Sequence, residues 1–268
     1  MITADYHVHS DFSSDSQASM ESMVEQAIAL GLERICFTDH MDYEFPKQYH
    51  YSFEFDVDAY FEKVAQLKQT YQGKIQILCG IECGMRPSLS KRFQKLIASY
   101  PFDFVICSSH LVNDMDPYYE DFWKEIDKET GLSLYFDSIL SNIRSFDNFD
   151  VYGHLDYIIR YVPNKDTTYK YEDYKEQIDE ILMLLIQKGK GIEINTAGFK
   201  YGLGTAHPCA EVVKRYFELG GTILTIGSDG HKPEHLAYDF ERARTWLQSL
   251  GVTRYTVFEQ RTPIFLPL

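Results

Sequence analysis

The chain has 268 residues, of which 44% are hydrophobic and 15% aromatic, enough material for a large core and unlike the composition of a disordered polymer. Its 40 acidic against 26 basic residues give a formal charge of -14, which repels polyanions and excludes nucleic acid as an expected partner. No apolar run approaches the roughly 18 residues of a membrane span, and no basic segment leads into an apolar one near Met1, so the expectation is a cytoplasmic protein without a membrane partner.

The spans 4–9, 34–38, 75–82, 104–108, 150–153, 191–195 and 222–228 read as strands. Helical spacing of apolar residues fills the gaps between them. The first helix follows Ser19 as N-cap, repeats Met20, Met23, Val24, Ala27 and Leu30 at helical spacing, and stops at Gly31. Further helices are expected over 60–71, 89–99, 174–188, 210–219 and 234–250, with Gly73, Gly189, Gly220 and Gly251 as stops. This βα alternation requires parallel strands, and a chain of this length closes them most readily into a barrel of one domain, 1–268, with its active site at the C-terminal strand ends. Residues 255–258 also read as β, so the pattern does not separate seven strands from a distorted eight. The five cysteines, Cys36, Cys79, Cys83, Cys107 and Cys209, are odd in number and lie mostly in strand-like runs; they are expected as buried thiols.

Two connections are longer than a βα loop needs. Residues 41–56 are dense in Tyr and Phe, and residues 111–127 mix aromatics with Asp114, Asp116, Glu120 and Asp121. Both follow strands that end in histidine, so both are expected to wall a pocket over the barrel mouth.

The chemistry gathers at the strand ends. The first finishes His7-Val8-His9, with the two histidines two residues apart and hence on one face. Later strands finish Thr38-Asp39-His40, Gly80-Ile81-Glu82, Ser109-His110, Gly153-His154 and Ser228-Asp229-Gly230-His231. Six of the nine histidines occupy such ends, in register with Glu82 and Asp229 and near Asp15. Imidazole and carboxylate without thiolate suit Zn, Mn or Fe, and nine candidate ligands suit two or three divalent ions. Such a cluster activates water and clamps phosphoryl oxygens, the chemistry of phosphoester hydrolysis.

These motifs, in this order, resemble the PHP (polymerase and histidinol phosphatase) superfamily of metal-dependent phosphoesterases. Within it the chain is most similar to the monofunctional histidinol-phosphate phosphatases, through the run from Gly153 to Tyr161 and through Glu193-Ile194-Asn195-Thr196-Ala197-Gly198. The resemblance implies an α/β fold, a distorted (β/α)7 TIM-like barrel, and a trinuclear site. It assigns His7, His9, Glu82 and Asp229 to one ion, Glu82, His110 and His154 to a second, and Asp15, His40 and His231 to a third.

The expected reaction is hydrolysis of L-histidinol phosphate, a step of histidine biosynthesis, by a metal-bridging hydroxide. Arg160, six residues past His154, is expected to grip the phosphate, with Lys200 as a weaker candidate. Asp229 and His231 would assist the departing alkoxide, and His207 is a further candidate proton donor. Asp42, Asp114, Asp116 and Trp123 are candidates for the cationic end of the substrate; His50 and His235 receive no role. The alternatives are a PHP phosphoesterase acting on nucleotides, DNA ends or phosphotyrosine, and a non-catalytic metal-binding module. A small phosphomonoester is the expected partner, and a monomer or small homo-oligomer the expected assembly.

Overall fold

Ten strands form in residues 1–268 of the computed structural model. They are β1 (Ala4–Val8), β2 (Arg34–Phe37), β3 (His40–Met41), β4 (Gln76–Gly84), β5 (Phe104–Ser108), β6 (Val151–Tyr152), β7 (Gly191–Asn195), β8 (Leu224–Gly227), β9 (Arg254–Glu259) and β10 (Thr262–Pro267). The first eight make one parallel sheet in the order β1-β2-β4-β5-β6-β7-β8, with β3 also on β4. Phe37 pairs with Cys79 and His40 with Glu82, so β2 and β3 keep one register and act as a single stave interrupted at Thr38-Asp39. The barrel therefore has seven staves.

The ring closes only at its mouth. Val8 bridges Gly230, and the His9 N–H donates to the Gly230 carbonyl at 3.0 Å. The candidate eighth strand is β9, but it pairs antiparallel with β10 and lies across the opposite end. There the Tyr6 hydroxyl donates to the Phe258 carbonyl (2.7 Å), Leu224 N–H donates to Thr256 Oγ1 (3.1 Å), and Arg261 Nε donates to Asp150 Oδ2 (2.5 Å). Tyr6, Phe104 and Phe258 stack edge to face and tilted at 5.2 Å spacings, an aromatic floor that keeps water out of the barrel from below.

Eight helices surround the staves: α1 (Met20–Ala29), α2 (Val57–Thr70), α3 (Ser90–Ser99), α4 (Lys128–Ser145), α5 (Lys175–Gln187), α6 (Ala197–Lys200), α7 (Ala210–Glu218) and α8 (Phe240–Ser249). Ser19 caps α1 by accepting from Ser22 N–H, as expected. Helix α2 starts before the expected residue 60 because Asp56 caps it through Ala59 N–H. Helix α8 starts later than residue 234, since Ala237 and Asp239 hold positive φ and break the run. Helix α4 has no counterpart among the expected helices. Its signal was present: Asp127 caps Thr130 N–H, and Leu132, Tyr135, Phe136, Ile139, Leu140 and Ile143 are buried at spacings of three and four. All five cysteines are free and four are buried. No helix is long and apolar enough to cross a membrane.

Arg261 faces a carboxylate, Asp150, that is 7% exposed. Replacing Arg261 by Ala is expected to lower unfolding stability by about 2 kcal/mol in chemical denaturation, with bound metal in the native protein unchanged.

Candidate metal centre

Strand β1 delivers His7 and His9 to one face, both fully buried, with ring centroids 5.0 Å apart. The loop that follows is tied down by Asp39, whose carboxylate accepts from the N–H and hydroxyl of Ser10 (2.6 and 2.9 Å) and of Ser13 (3.1 and 2.8 Å). Ser13 Oγ in turn stands 3.1 Å from His9 Nδ1. This turn also carries Asp15 back over the mouth.

Glu82, on β4, occupies the centre. Its Oε2 lies 3.2 Å from His7 Nε2, 3.6 Å from His9 Nε2 and 2.8 Å from His40 Nδ1; its Oε1 lies 3.2 Å from His110 Nε2 and 3.0 Å from His154 Nε2. Asp229 Oδ1 adds a carboxylate 3.4 Å from His9 Nε2. A third group forms at the rim, where Asp15 Oδ2 stands 3.2 Å from His231 Nε2 and 3.7 Å from His40 Nε2. The His9 ring packs against those of His40 and His231, 4.1 Å from each, and so joins the rim group to Glu82.

Burial and crowding set the charge states. Burial alone would raise the carboxyl of Glu82, but His7, His110 and His40 hold it well below its usual range. Burial lowers His7, yet Glu193 and Glu82 lift it well above an ordinary imidazole. His9 is pushed well down by burial and by the neighbouring His231 and His40, which favours the neutral imidazole. Nε2 of His7 and His9, Nδ1 of His40 and Oε2 of Glu82 are buried without a hydrogen-bond partner. Orphaned polar atoms at this density are costly, and imidazole with carboxylate is the donor set of a divalent ion. The residues present fit divalent ions.

Three further carboxylates hold the donors in place, and none of them stands out in the sequence as a support. Glu193 Oε1 takes His7 Nδ1 at 2.5 Å and its Oε2 accepts from His154 N–H at 2.9 Å. Asp42 Oδ2 takes His110 Nδ1 at 2.7 Å, while its Oδ1 has no hydrogen-bond partner and the residue lines the cavity over the centre. Asp5 accepts from Ser228 Oγ (2.5 Å), Ser228 N–H (3.0 Å) and Ala237 N–H (2.9 Å), which fixes the turn bearing Asp229, itself at φ 52°. A His two residues along a strand signals a ligand; its buried partner, far away in sequence, carries no such signal.

Above the centre opens a cavity of about 360 Å³. Asp15, His40, His110, His154, Asp229 and His231 face it, with Arg160, Lys200 and Asp116 on its walls. Both long loops contribute, through Phe45, Tyr51 and Phe53 and through Tyr118 and Tyr119; His235, given no role from sequence, is also there. Three expected contacts are corrected. Asp114 points away, 74% exposed, and pairs with Arg86. Trp123 packs on Gly131, where any larger residue would collide with it, and donates to the Pro117 carbonyl. His207 is buried beneath the loops against Asp156, out of the cavity and unable to reach a leaving group.

A family model, the PHP domain, matches residues 5–197. The chain belongs to the PHP family. Two relatives of this PHP chain are the histidinol-phosphatase of Lactococcus lactis, 34% identical over 96% of this chain and 95% of that one, and a probable histidinol-phosphatase of Clostridium acetobutylicum, 31% identical over 96% and 97%. The crystal structure of the Lactococcus lactis histidinol phosphate phosphatase, complexed with Zn, L-histidinol and phosphate, superposes with a TM-score of 0.90 at 33% identity, covering 98% of this chain and 99% of that one. The structure of a putative histidinol phosphatase from Listeria monocytogenes, 19% identical with a TM-score of 0.76, shares the fold.

The supporting residues make the centre testable. Glu193→Gln removes the charge behind His7, and metal affinity is expected to fall about 10- to 100-fold in a competitive chelator titration. A methyl group on Gly227 would stand 2.3 Å from His7 Cβ and 3.1 Å from its backbone nitrogen; Gly227→Ala should therefore yield folded protein, by circular dichroism, that retains less metal than wild type.

Proposed function

We propose that this chain is a metal-dependent phosphomonoesterase that hydrolyses L-histidinol phosphate to L-histidinol and phosphate, acting as one domain over residues 1–268 in the cytoplasm. The observation that carries the reading is the gathering of nine metal-type donors at one end of the barrel, six of them facing a single cavity together with the Arg160 guanidinium, in a chain that matches histidinol-phosphatases over nearly its whole length.

His7, His9, Glu82 and Asp229 would hold one divalent ion, Glu82, His110 and His154 a second, and Asp15, His40 and His231 a third. Zn is the ion named for the Lactococcus lactis structure. Ions so held supply, when bound, a water of lowered pKa and positive charge opposite the phosphoryl oxygens. The chain's own residues do the rest. Arg160, 13% exposed in its side chain, presents its donors to the phosphate, and Lys200 adds a second positive charge on the same wall. Phe45, Tyr51, Phe53 and Tyr119 offer ring faces to an imidazole.

Asp116 is the carboxylate placed for the ammonium or imidazolium end. Burial lifts its carboxyl to about 6, against the lowering effect of the Tyr118 N–H. It is anionic above that pH and neutral below it, so its attraction for a cation is lost on acidification. With His207 out of reach, Asp229 and His231 are the groups at the end of the cavity where the alkoxide departs.

Purified, metal-replete protein is expected to release phosphate from L-histidinol phosphate far faster than from nucleotides, DNA ends or phosphotyrosine. Failure to hydrolyse any phosphomonoester would instead identify a non-catalytic metal-binding module. Arg160→Ala should cost roughly 2 to 5 kcal/mol of transition-state binding in kcat/KM. Asp116→Asn should raise KM about 10-fold above neutral pH, and the gap between the two proteins should narrow as pH falls through about 6.

A further inference from the structure

Arg160 lies in the short turn Tyr157–Tyr161 just after His154. No carboxylate or carbonyl accepts a hydrogen bond from its guanidinium: Asp229 Oδ2 is 3.8 Å from Nη1, and Nε is buried without a partner. A buried cation in that condition is ordinarily unfavourable. What surrounds it instead is aromatic. The guanidinium carbon stands 4.6 Å from the ring centroid of Tyr157, 4.7 Å from Tyr161 and 4.4 Å from Tyr201.

The geometry points to an aromatic cage in which Tyr157, Tyr161 and Tyr201 position Arg160 through their π faces, leaving its N–H donors free of any carboxylate or carbonyl and open to the oxygens of a phosphoryl group. The five donors of a guanidinium radiate in its plane, whereas a π face attracts it from above or below. A carboxylate partner would hold the same cation but occupy the donors that the substrate needs. The inference rests on the phosphomonoesterase reading and adds three positioning residues to it.

The cage is built from two loops. Tyr157 and Tyr161 follow β6, while Tyr201 closes α6 after β7 and is 51% exposed. Asp156 ties those loops together, accepting from the Tyr169 hydroxyl (2.9 Å) and the Cys209 N–H (2.9 Å) and pairing with His207 Nδ1. His207 thus braces the loop that brings Tyr201 over Arg160.

Tyr201 is the ring to change, because it is exposed and its loss threatens folding least. Inorganic phosphate is titrated calorimetrically into metal-replete wild type, Tyr201→Phe, Tyr201→Leu, Arg160→Ala and the Arg160→Ala/Tyr201→Leu double variant, with metal content measured in each. Tyr201→Leu is expected to weaken phosphate binding about 10-fold, and Tyr201→Phe, which keeps the π face, less than about 3-fold. In the Arg160→Ala background Tyr201→Leu should add nothing. The inference is overturned if Tyr201→Leu binds phosphate like wild type, if Tyr201→Phe is as weak as Tyr201→Leu, or if the effect persists undiminished without Arg160. The expected pattern in a protein that does not hydrolyse L-histidinol phosphate would uphold the cage and remove the substrate; hydrolysis without the pattern would do the reverse.

Discussion

Glu82 is fully buried, and its two oxygens face five imidazoles. A carboxylate so far from water is strongly unfavourable unless positive charge meets it on every open side. Five staves must therefore end at the right height around the barrel, because a slip of one residue would turn a ligand to the outer face. The ladder enforces this height: Glu82 sits opposite His40 on one side and Ile106 on the other. Sheet register and metal-site geometry are thus one constraint.

Charge then spreads outward in steps. Beside Glu82, His7 and His110 are backed by Glu193 and Asp42, and the turns that carry the rim ligands are tied to Asp39 and Asp5. Close approach of these carboxylates is possible because glycines line the route: Gly84 packs on Asp42, Gly153 on Ser108, and Gly227 on His7 and Glu193. The -14 charge of the chain belongs in part to this interior scaffold, and at the mouth Arg160, Lys200 and Lys232 stand among Asp15, Asp42, Asp116 and Asp229.

Much of this was legible from the chain. Strand ends bearing His, Asp or Glu recur at βα spacing, and that rhythm alone places them on one barrel face. The separation of seven staves from eight was not legible, because residues 255–258 have β composition whether they join the barrel or fold back on 262–267, and only tertiary contacts with Tyr6, Asp103 and Asp150 decide it. The cation-recognition residues divided for a related reason. Asp42, Asp114 and Asp116 look alike in sequence; the first faces the cavity but pairs with His110, the second pairs with Arg86 outside it, and the third faces it without an ion-pair partner. Glu193 was visible as part of a motif, but its contact with His7 spans 186 positions.

The meeting of β1 and β8 at a single bridge, Val8 with Gly230, bears on when the centre comes into being. His7 and His9 stand more than 200 residues before Asp229 and His231, so the donors at the two ends of the ligand set join only when the ring shuts. Contacts of such sequence separation form late, after the intervening loops have been ordered. During synthesis a growing chain would carry a loose His-rich start and a Glu82 stave long before the last ligands leave the ribosome. A complete ligand set is consequently a property of the finished ring, and a chain stopped before Gly230 would lack the donor that closes it, His231.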